Sequence, residues 1–531
     1  MSTDADPVLI KQRSLWIGCA FVMCLVGSGL IHSQPRLLGS GGAELFGHAW
    51  VQWWHGLALP AWPSGTDWAI GAQEWPVMDP LLTIFAAVLG KIVGFTAAWN
   101  LVLLFAVGLS FWGGACLADR ADGDPLLGGV GLALSPIYLG SLASGLTEDA
   151  ALGLLAFALC DLIFPRKPRD RIRGGVLLGL TAWCGLYLAF MGALIALVCG
   201  LSSYLGKQQD RKRIFKEWIF AGVIALLVAS FALMLMKGRL GGQGHHFGSP
   251  PIPIFEPLWQ LNPVRSADLA SFFMPGQPVV PDDALLRLHP VYLGWVLLVC
   301  AIRAGRSAWW WLVVVACLVS CGPVFQFRGH SSGVSNPFDW LFSWIPFADM
   351  VNHKARLMLA GQIGLVVLAA KGLKRWKRAG HWVSAALILE LVFLSPTPLP
   401  LPTTPSQVDE IFGLVGAGEG ALLVLPIGGP GIHPQRPLYE QRAHARVLAL
   451  RPNRPGPLPG MAQTPLGRWL FSLGQPKSFD PPQPIDVNPF LEGGVHTILV
   501  RDPWVEAVRE GLGDPTIQSQ GGAIWELSGL N

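Results

Sequence analysis

Charged residues are scarce in this sequence. Only 14% of its 531 residues are Asp, Glu, Lys or Arg, whereas a soluble globular domain carries about 25%. The chain also lacks a Gly-x-x-x-x-Gly-Lys-Ser/Thr loop, a Gly-x-Gly-x-x-Gly turn after a predicted strand and a His-Glu-x-x-His motif. The composition therefore argues against a soluble protein, and the missing motifs leave nucleotide-driven chemistry in the cytoplasm without support.

Cysteine and charge patterns exclude two further classes. The nine cysteines lie mostly in apolar stretches and form no Cys-x-x-Cys pair, which predicts small buried hydrophobic residues rather than disulfides or a zinc site. The net charge of +4 is small, and the basic residues are clustered in short connections. Nucleic acid is therefore not an expected partner.

Apolar residues are abundant, at 52%, and the chain has 23 Trp against only 5 Tyr. Trp is favoured at membrane interfaces, where an apolar ring with one N–H donor fits well. We predict an α-helical polytopic membrane protein with about eleven transmembrane helices. The apolar segments lie near 15–32, 79–95, 97–117, 125–143, 147–163, 174–204, 218–236, 289–304, 306–324, 356–374 and 382–398. The first segment, which has no clear cleavage site, is predicted to be a retained signal anchor.

Three basic clusters predict how the chain is oriented in the membrane, because Lys and Arg accumulate on the cytoplasmic side. They lie at 166–173, 207–216 and 371–378. The long segment between the first two clusters must then cross twice, as a hairpin of two short helices. The cluster 166–173 can be cytoplasmic only if one of the five apolar segments before it does not cross the membrane. We choose 79–95, which begins with Asp79-Pro80 and carries Lys91. The loops 33–96, 237–288 and 325–355 and the C-terminal tail are then external.

The composition changes after about residue 398. Prolines crowd 396–405, and the stretches Ala421–Leu425, Thr497–Val500 and Ala523–Leu527 are typical of short strands. We predict a polytopic membrane domain over 1–398 and a small α/β extracytoplasmic domain over 399–531. Within the first of these, Ser135-Pro136 predicts a broken or kinked helix, which is tolerated where a helix lines a cavity.

The first external loop holds a candidate general base, Glu44. His48 follows four residues later and shares a helix face with it if the stretch is helical, and Trp54 adds an aromatic side chain. A carboxylate beside an imidazole can deprotonate an acceptor hydroxyl or amine. The alternative is a solvated acid above a Trp-rich interfacial helix.

Two more charged groups lie at the external ends of predicted helices. The adjacent Glu148 and Asp149 suit metal or substrate binding, although acids behind Thr147 also suit a helix N-terminus. His353, Lys354 and Arg356 lie on the side where basic residues are rare. Binding of an anionic lipid-linked phosphate would explain them, and so would snorkelling to lipid headgroups.

Local patterns across most of the chain resemble the GT-C superfamily of polytopic glycosyltransferases. They include Glu44 followed by aromatic residues, Asp79-Pro80, Ser135-Pro136-x-Tyr138 with Glu148-Asp149, and Lys354 to Arg356. In the tail they include Tyr439-Glu440-Gln441 with His444, and the strand that contains Val495–Val500. The resemblance departs from the family in one place, because the family's first loop commonly carries Asp, often in a Gly-Asp or Asp-Asp context.

The resemblance implies a function. A sugar on a polyprenyl phosphate would be transferred to an envelope glycan, lipid or protein at the outer face of the cytoplasmic membrane. Glu44 would be the base, Glu148 or Asp149 a second acid, and Lys354 and Arg356 the phosphate-binding pair. His48, Trp54 and His353 would contact substrate. No cofactor is implied with certainty, and a divalent cation stays open.

Two other classes remain. A lipid or polysaccharide transporter predicts internal symmetry and several intramembrane charges, neither of which is evident. A non-catalytic assembly relative would keep the fold without the reaction, and the single acid of the first loop keeps this alternative open.

Overall fold

The structure is a computed structural model that describes most of the chain. The described residues are 7–41, 44–58, 68–70, 79–206, 211–235, 266–275, 291–342, 344, 354–376, 380–416, 419–427, 435–450, 459–475 and 479–529. Of the predicted site residues, only His353 lies outside them.

The part up to residue 394 is mainly helical. Its helices are α1 (Pro7–Gly27), α2 (Leu45–Ala58), α3 (Pro80–Val93), α4 (Phe95–Arg120), α5 (Pro125–Ala133), α6 (Pro136–Ala143), α7 (Leu152–Ile163), α8 (Pro168–Cys184), α9 (Leu186–Gly206), α10 (Arg211–Leu235), α11 (Trp295–Ile302), α12 (Trp309–Ser320), α13 (Pro337–Phe342), α14 (Met358–Lys374) and α15 (Gly380–Leu394). Short 3-10 turns at Thr147–Asp149 and Lys354–Leu357 precede α7 and α14.

Four of these segments are long and apolar enough to cross a membrane: Gln12–Leu30, Phe95–Arg120, Pro125–Ala143 and Lys354–Lys374. Four shorter apolar helices cover Pro80–Val93, Leu186–Gly200, Trp309–Ser320 and Gly380–Leu394. A mainly helical chain with apolar spans is therefore confirmed, whereas the count of eleven crossings stays a prediction. Several helices are shorter than predicted. The segment 147–163 begins with a 3-10 turn, and 289–304 contains only the helix Trp295–Ile302.

The predicted helix breaks are present. The 174–204 segment divides at Gly185 into α8 and α9, and α8 runs alongside α10 through close contacts of Gly175 with Ala221 and Gly179 with Ala225. The 125–143 segment divides before Pro136, whose ring cannot donate the backbone hydrogen bond that a continuous helix requires. The helix α3 has 14 residues, a length of about 21 Å, and so is shorter than a hydrocarbon core of about 30 Å.

The C-terminal part contains a mixed four-stranded sheet. Its strands, in the order β5-β6-β8-β7, are β5 (Ala421–Leu425), β6 (Val495–Arg501), β7 (Ile517–Ser519) and β8 (Gly522–Glu526), and only β5 and β6 pair in parallel. All three predicted strands are confirmed. The helices around them are α16 (Glu410–Gly413), α17 (Arg436–His444), α18 (Pro459–Gln463), α19 (Pro465–Ser472), α20 (Asn488–Glu492) and α21 (Val505–Leu512).

Two connections join this part to the first loop. The strand β1 (Arg36–Leu38) pairs antiparallel with β4 (Thr403–Pro405). Trp50 and Trp54 of α2 are buried in one apolar core with Phe412, Leu422 and other C-terminal residues. The Trp-rich helix α2 therefore buries these two rings against the C-terminal sheet, while the domain boundary at 398/399 stays a prediction. A separate hairpin joins β2 (Val324–Phe327) to β3 (His330–Ser335).

Candidate functional site

The predicted pair Glu44 and His48 lies at the start of α2. The Glu44 backbone carbonyl accepts hydrogen bonds from the N–H groups of Gly47 and His48, so Glu44 occupies the turn that opens the helix. Its Oε2 lies 3.7 Å from Nε2 of His48, whose side chain is buried. The shared face predicted from the i,i+4 spacing is confirmed. The Glu44 side chain keeps 29% of its surface exposed, so it can meet a substrate.

Two glycines allow the segment that carries Glu148 and Asp149 to approach α2. Gly145 has φ +78°, and a Cβ there would lie 2.3 Å from the Cα of Leu45, the residue after Glu44. A Cβ on Gly185 would lie 2.4 Å from the carbonyl oxygen of Glu148. Only glycine fits both positions, since other residues would push the chains apart. Thr147 is thereby placed with its Oγ1 2.8 Å from Nδ1 of His48.

Asp79 is a site residue whose role the sequence did not reveal. It directly precedes α3, its carboxylate lies 4.0 Å from Nδ1 of His48, and its side chain is fully buried. Neither carboxylate oxygen has a hydrogen-bond partner among the described residues. Its backbone also adopts a left-handed conformation, with φ 38° and ψ 56°, which is costly for a residue other than glycine. A buried carboxyl group in this state is a functional candidate.

The Asp79 and His48 side chains influence each other's protonation. Burial raises the pKa of Asp79 well above its ordinary value, and this effect outweighs the opposing influence of His48 and of the Thr83 hydroxyl. Burial lowers the pKa of His48, but Glu44, Asp79 and Glu148 outweigh this effect and the net shift is upward. The arrangement thus favours a proton on the buried pair beside the more exposed carboxylate of Glu44.

Glu148 and Asp149 are joined to Arg356, which is 207 residues further along the chain from Asp149. The guanidinium donates from Nη1 to Glu148 at 2.8 Å and from Nη2 to Asp149 at 2.7 Å, and its Nε donates to Asp149 at 3.2 Å. It also lies 4.3 Å from the ring centre of Tyr187. Asp149 and Arg356 are buried, whereas Glu148 is partly exposed. The structure therefore brings three of the predicted site residues together.

The other predicted residues are placed differently. Lys354 pairs with Asp339 at 3.1 Å, so both predicted phosphate ligands, Lys354 and Arg356, have carboxylate partners in this structure. Trp54 is buried in the core that α2 shares with the C-terminal sheet. No group of three or more His, Cys, Asp or Glu side chains within the described ranges has the geometry of a metal site.

No protein-family model matches this chain, and no curated protein matches it. Solved structures do. The arabinofuranosyltransferase AftD from Mycobacteria, a GT-C superfamily membrane glycosyltransferase, aligns over 92% of this chain with 15% identity and a TM-score of 0.56. The chain has the GT-C fold.

A mutant form of AftD aligns over 97% of this chain with 15% identity and a TM-score of 0.55. The chain covers only 35% and 41% of these two AftD chains, little more than a third of their length. The GT-C protein ArnT from Cupriavidus metallidurans, solved bound to undecaprenyl phosphate, aligns over 97% of both chains with 12% identity and a TM-score of 0.40. The alignments with AftD confirm the GT-C fold expected from the local sequence patterns.

Proposed function

We propose that this chain is a glycosyltransferase that moves a sugar from a polyprenyl-phosphate carrier to an envelope acceptor at the outer face of the cytoplasmic membrane. The observation that carries the proposal is the convergence of Glu44, His48, Asp79 and the Glu148–Asp149–Arg356 group at one place in a GT-C fold. These residues come from four distant parts of the chain. An interfacial loop acid needs no such surroundings.

In the proposed reaction, Glu44 accepts the proton of an acceptor hydroxyl or amine. The freed electron pair attacks the anomeric carbon of the donor sugar, the bond from that carbon to the phosphate oxygen breaks, and the polyprenyl phosphate leaves as an anion. His48 lies 3.7 Å from Glu44 and stabilises its carboxylate. General-base assistance of this kind contributes about 10²–10⁴ in rate.

The other two acids have different roles in this proposal. Glu148 is partly exposed and can accept hydrogen bonds from sugar hydroxyls. Asp149 is buried and fixes Arg356 through two hydrogen bonds. Arg356 then orients Glu148 and keeps the carboxylates from repelling one another. We propose no step through a divalent cation, because the acids of this site do not form a metal-ligand set within the described residues.

The test is an envelope-glycan comparison by mass spectrometry. The strains are a deletion strain and the same strain complemented with wild type, with Glu44→Gln, or with Glu217→Gln as a carboxylate control at the opposite end of the bundle. We expect one sugar to disappear in the deletion, and wild type and Glu217→Gln to restore it. Glu44→Gln should not restore it at equal protein level.

Two outcomes would contradict the proposal. Full restoration by Glu44→Gln excludes Glu44 as the base and favours the assembly or transporter alternatives. Loss of the sugar in the deletion, together with accumulation of the lipid-linked precursor on the cytoplasmic side, favours a transporter.

A further inference from the structure

Two arginines near the start of α4 have no acidic partner among the residues that the structure describes. Arg36 of β1 donates to the hydroxyl and the carbonyl oxygen of Thr403, both at 2.8 Å. Arg442 of α17 donates to the carbonyl oxygen of Ser406 at 2.5 Å. All these acceptors are neutral. Two positive charges therefore lie beside one short segment, 403–406, and no described carboxylate forms an ion pair with either of them.

Arg442 is held in a defined orientation. Its guanidinium lies 4.5 Å from the ring centre of Phe95 and 4.1 Å from that of Tyr439. Its Nε is buried and has no hydrogen-bond partner within the described part of the chain. Burial lowers the pKa of Arg442, because it removes the charged guanidinium from water. Two aromatic rings fix the plane of the group and still leave donor capacity on it.

Arg436, on the same helix, does have acidic partners. It lies two turns before Arg442 and pairs with Glu440 at 2.8 Å and with Asp409 at 3.6 Å. The missing partner at Arg442 is therefore a local property and not a general feature of α17.

Exposed apolar side chains lie at the helix ends near these two arginines. Phe95 is the first residue of the long apolar helix α4. Ile92, at the end of α3, and Ile31, just after α1, expose 79% and 87% of their surface. Exposed aliphatic side chains at the ends of apolar helices face lipid in a membrane protein, and phospholipid phosphates lie at that boundary.

We propose that Arg442, assisted by Arg36, binds the phosphate of a lipid headgroup at the outer rim of the helix bundle. Guanidinium groups bind phosphate through two parallel hydrogen bonds, and an uncompensated arginine gains most from such a ligand. The phosphate comes from a bilayer phospholipid or from a polyprenyl phosphate, which present the same group at the same depth. The inference rests on the membrane assignment and not on the transfer reaction.

The test is lipid binding by the full chain in mild detergent, followed by native mass spectrometry. The probes are dioleoylphosphatidylglycerol, farnesyl phosphate, inorganic phosphate and dioleoylglycerol, which lacks phosphate. We expect Arg442→Gln to weaken binding of at least one lipid phosphate about ten-fold and Arg36→Gln about three-fold, as expected for loss of a charge-assisted contact. Arg436→Gln, the matched control, should stay within about two-fold of wild type.

Comparing dioleoylphosphatidylglycerol with farnesyl phosphate identifies the source of the phosphate. Weaker binding of either lipid by Arg442→Gln supports the site. Wild-type binding by Arg442→Gln, equal retention of dioleoylglycerol, or saturation by inorganic phosphate at the same concentration as the lipids would each overturn it. If Arg442→Gln does not fold, Arg442→Lys and Arg36→Gln decide. Arg442→Lys keeps the charge and loses the planar fork, so we expect intermediate binding.

Discussion

The two ends of the helix bundle use the same residue types in opposite ways. At one end, Arg120, Arg166, Arg171 and Arg173 face Asp119, Asp161, Asp170 and Glu217, and every one of these side chains has an opposite charge within 4.0 Å. At the other end, the carboxyl groups of Glu44, Asp79, Glu148 and Asp149 share one guanidinium and one imidazole.

We infer that the charges at the first end stabilise the structure, whereas those at the second end serve the proposed function. The first end pairs each of these eight side chains with an opposite charge. The second end keeps the partly exposed Glu44 and Glu148 together with Asp79, whose backbone is left-handed and whose carboxylate has no hydrogen-bond partner among the described residues. Natural chains keep such local conflicts mainly where a ligand or a reaction uses them. The following substitutions test this contrast, beginning with the largest expected effect.

Arg356→Gln should be far more damaging than Arg171→Gln. The first leaves Glu148 and Asp149 without their cation in a buried setting, and we expect a loss of about 3–5 kcal/mol in stability. The second leaves Glu217 paired with Arg213 at 2.9 Å and should cost less than about 1 kcal/mol. Thermal unfolding of the purified proteins in detergent measures both. Equal shifts would show that the two ends do not differ.

Gly145→Ala should impair the reaction more than the fold. The added Cβ would lie 2.3 Å from the Cα of Leu45 and push the start of α2, with Glu44 and His48, away from Thr147. A displacement of about 1 Å at a reacting group costs roughly 100-fold in rate. The rate of sugar transfer in membrane vesicles of the complemented strain is the readout. Gly222→Ala, where a Cβ meets nothing within 4 Å, is the control and should be neutral.

Asp79→Asn should change how stability depends on pH. The folded chain holds a proton on Asp79 that the unfolded chain, with an ordinary pKa near 3.9, has lost. Wild-type stability therefore falls as pH rises from that value towards the raised pKa, by at most about 1.4 kcal/mol per pH unit. The Tm of Asp79→Asn minus that of wild type should increase between pH 5 and pH 8.

The exposed Asp514 provides the control for this measurement, because Asp514→Asn should show no such trend. A constant Tm difference for Asp79→Asn across the same range would mean that Asp79 is ionised in the folded chain.

Thr147→Val should have the smallest effect. It removes the 2.8 Å contact to Nδ1 of His48 and keeps the side-chain volume, so we expect about a five- to ten-fold loss of transfer rate. Thr181→Val removes a hydroxyl that bonds only the Leu177 carbonyl of its own helix and should lower the rate less than two-fold. A pH profile identical to wild type would show that Thr147 does not act through His48.

Local patterns were enough to predict the membrane class, the helix breaks and the C-terminal strands. The proline at 136 and the alternation in Ala523–Leu527 act within one element, so the sequence displays them directly. The i,i+4 relation of Glu44 and His48 has the same local origin. The GT-C resemblance also came from short patterns, and the structural comparison confirms that fold.

Long-range assembly could not be predicted in the same way. Asp79 looks like an ordinary residue before a helix-opening proline until the fold places it against His48. The prediction that Arg356 binds phosphate rests on its place on the side where basic residues are rare. No local pattern indicates that Glu148 and Asp149 are its partners across more than 200 residues. The burial of Trp54 depends on a sheet that begins more than 360 positions later.

The β1–β4 pairing has a consequence for how the protein is made. The loop that carries Glu44 follows a strand held by residues such as Thr403, which lies 367 positions after Arg36. At synthesis rates of about 5–20 residues per second, that segment emerges roughly 20–70 s after its partner. The first loop therefore lacks the β1–β4 pairing while most of the helices insert into the membrane. The candidate site is therefore completed among the last steps of biogenesis, so truncation before residue 403 should leave an inserted chain without the proposed transfer activity.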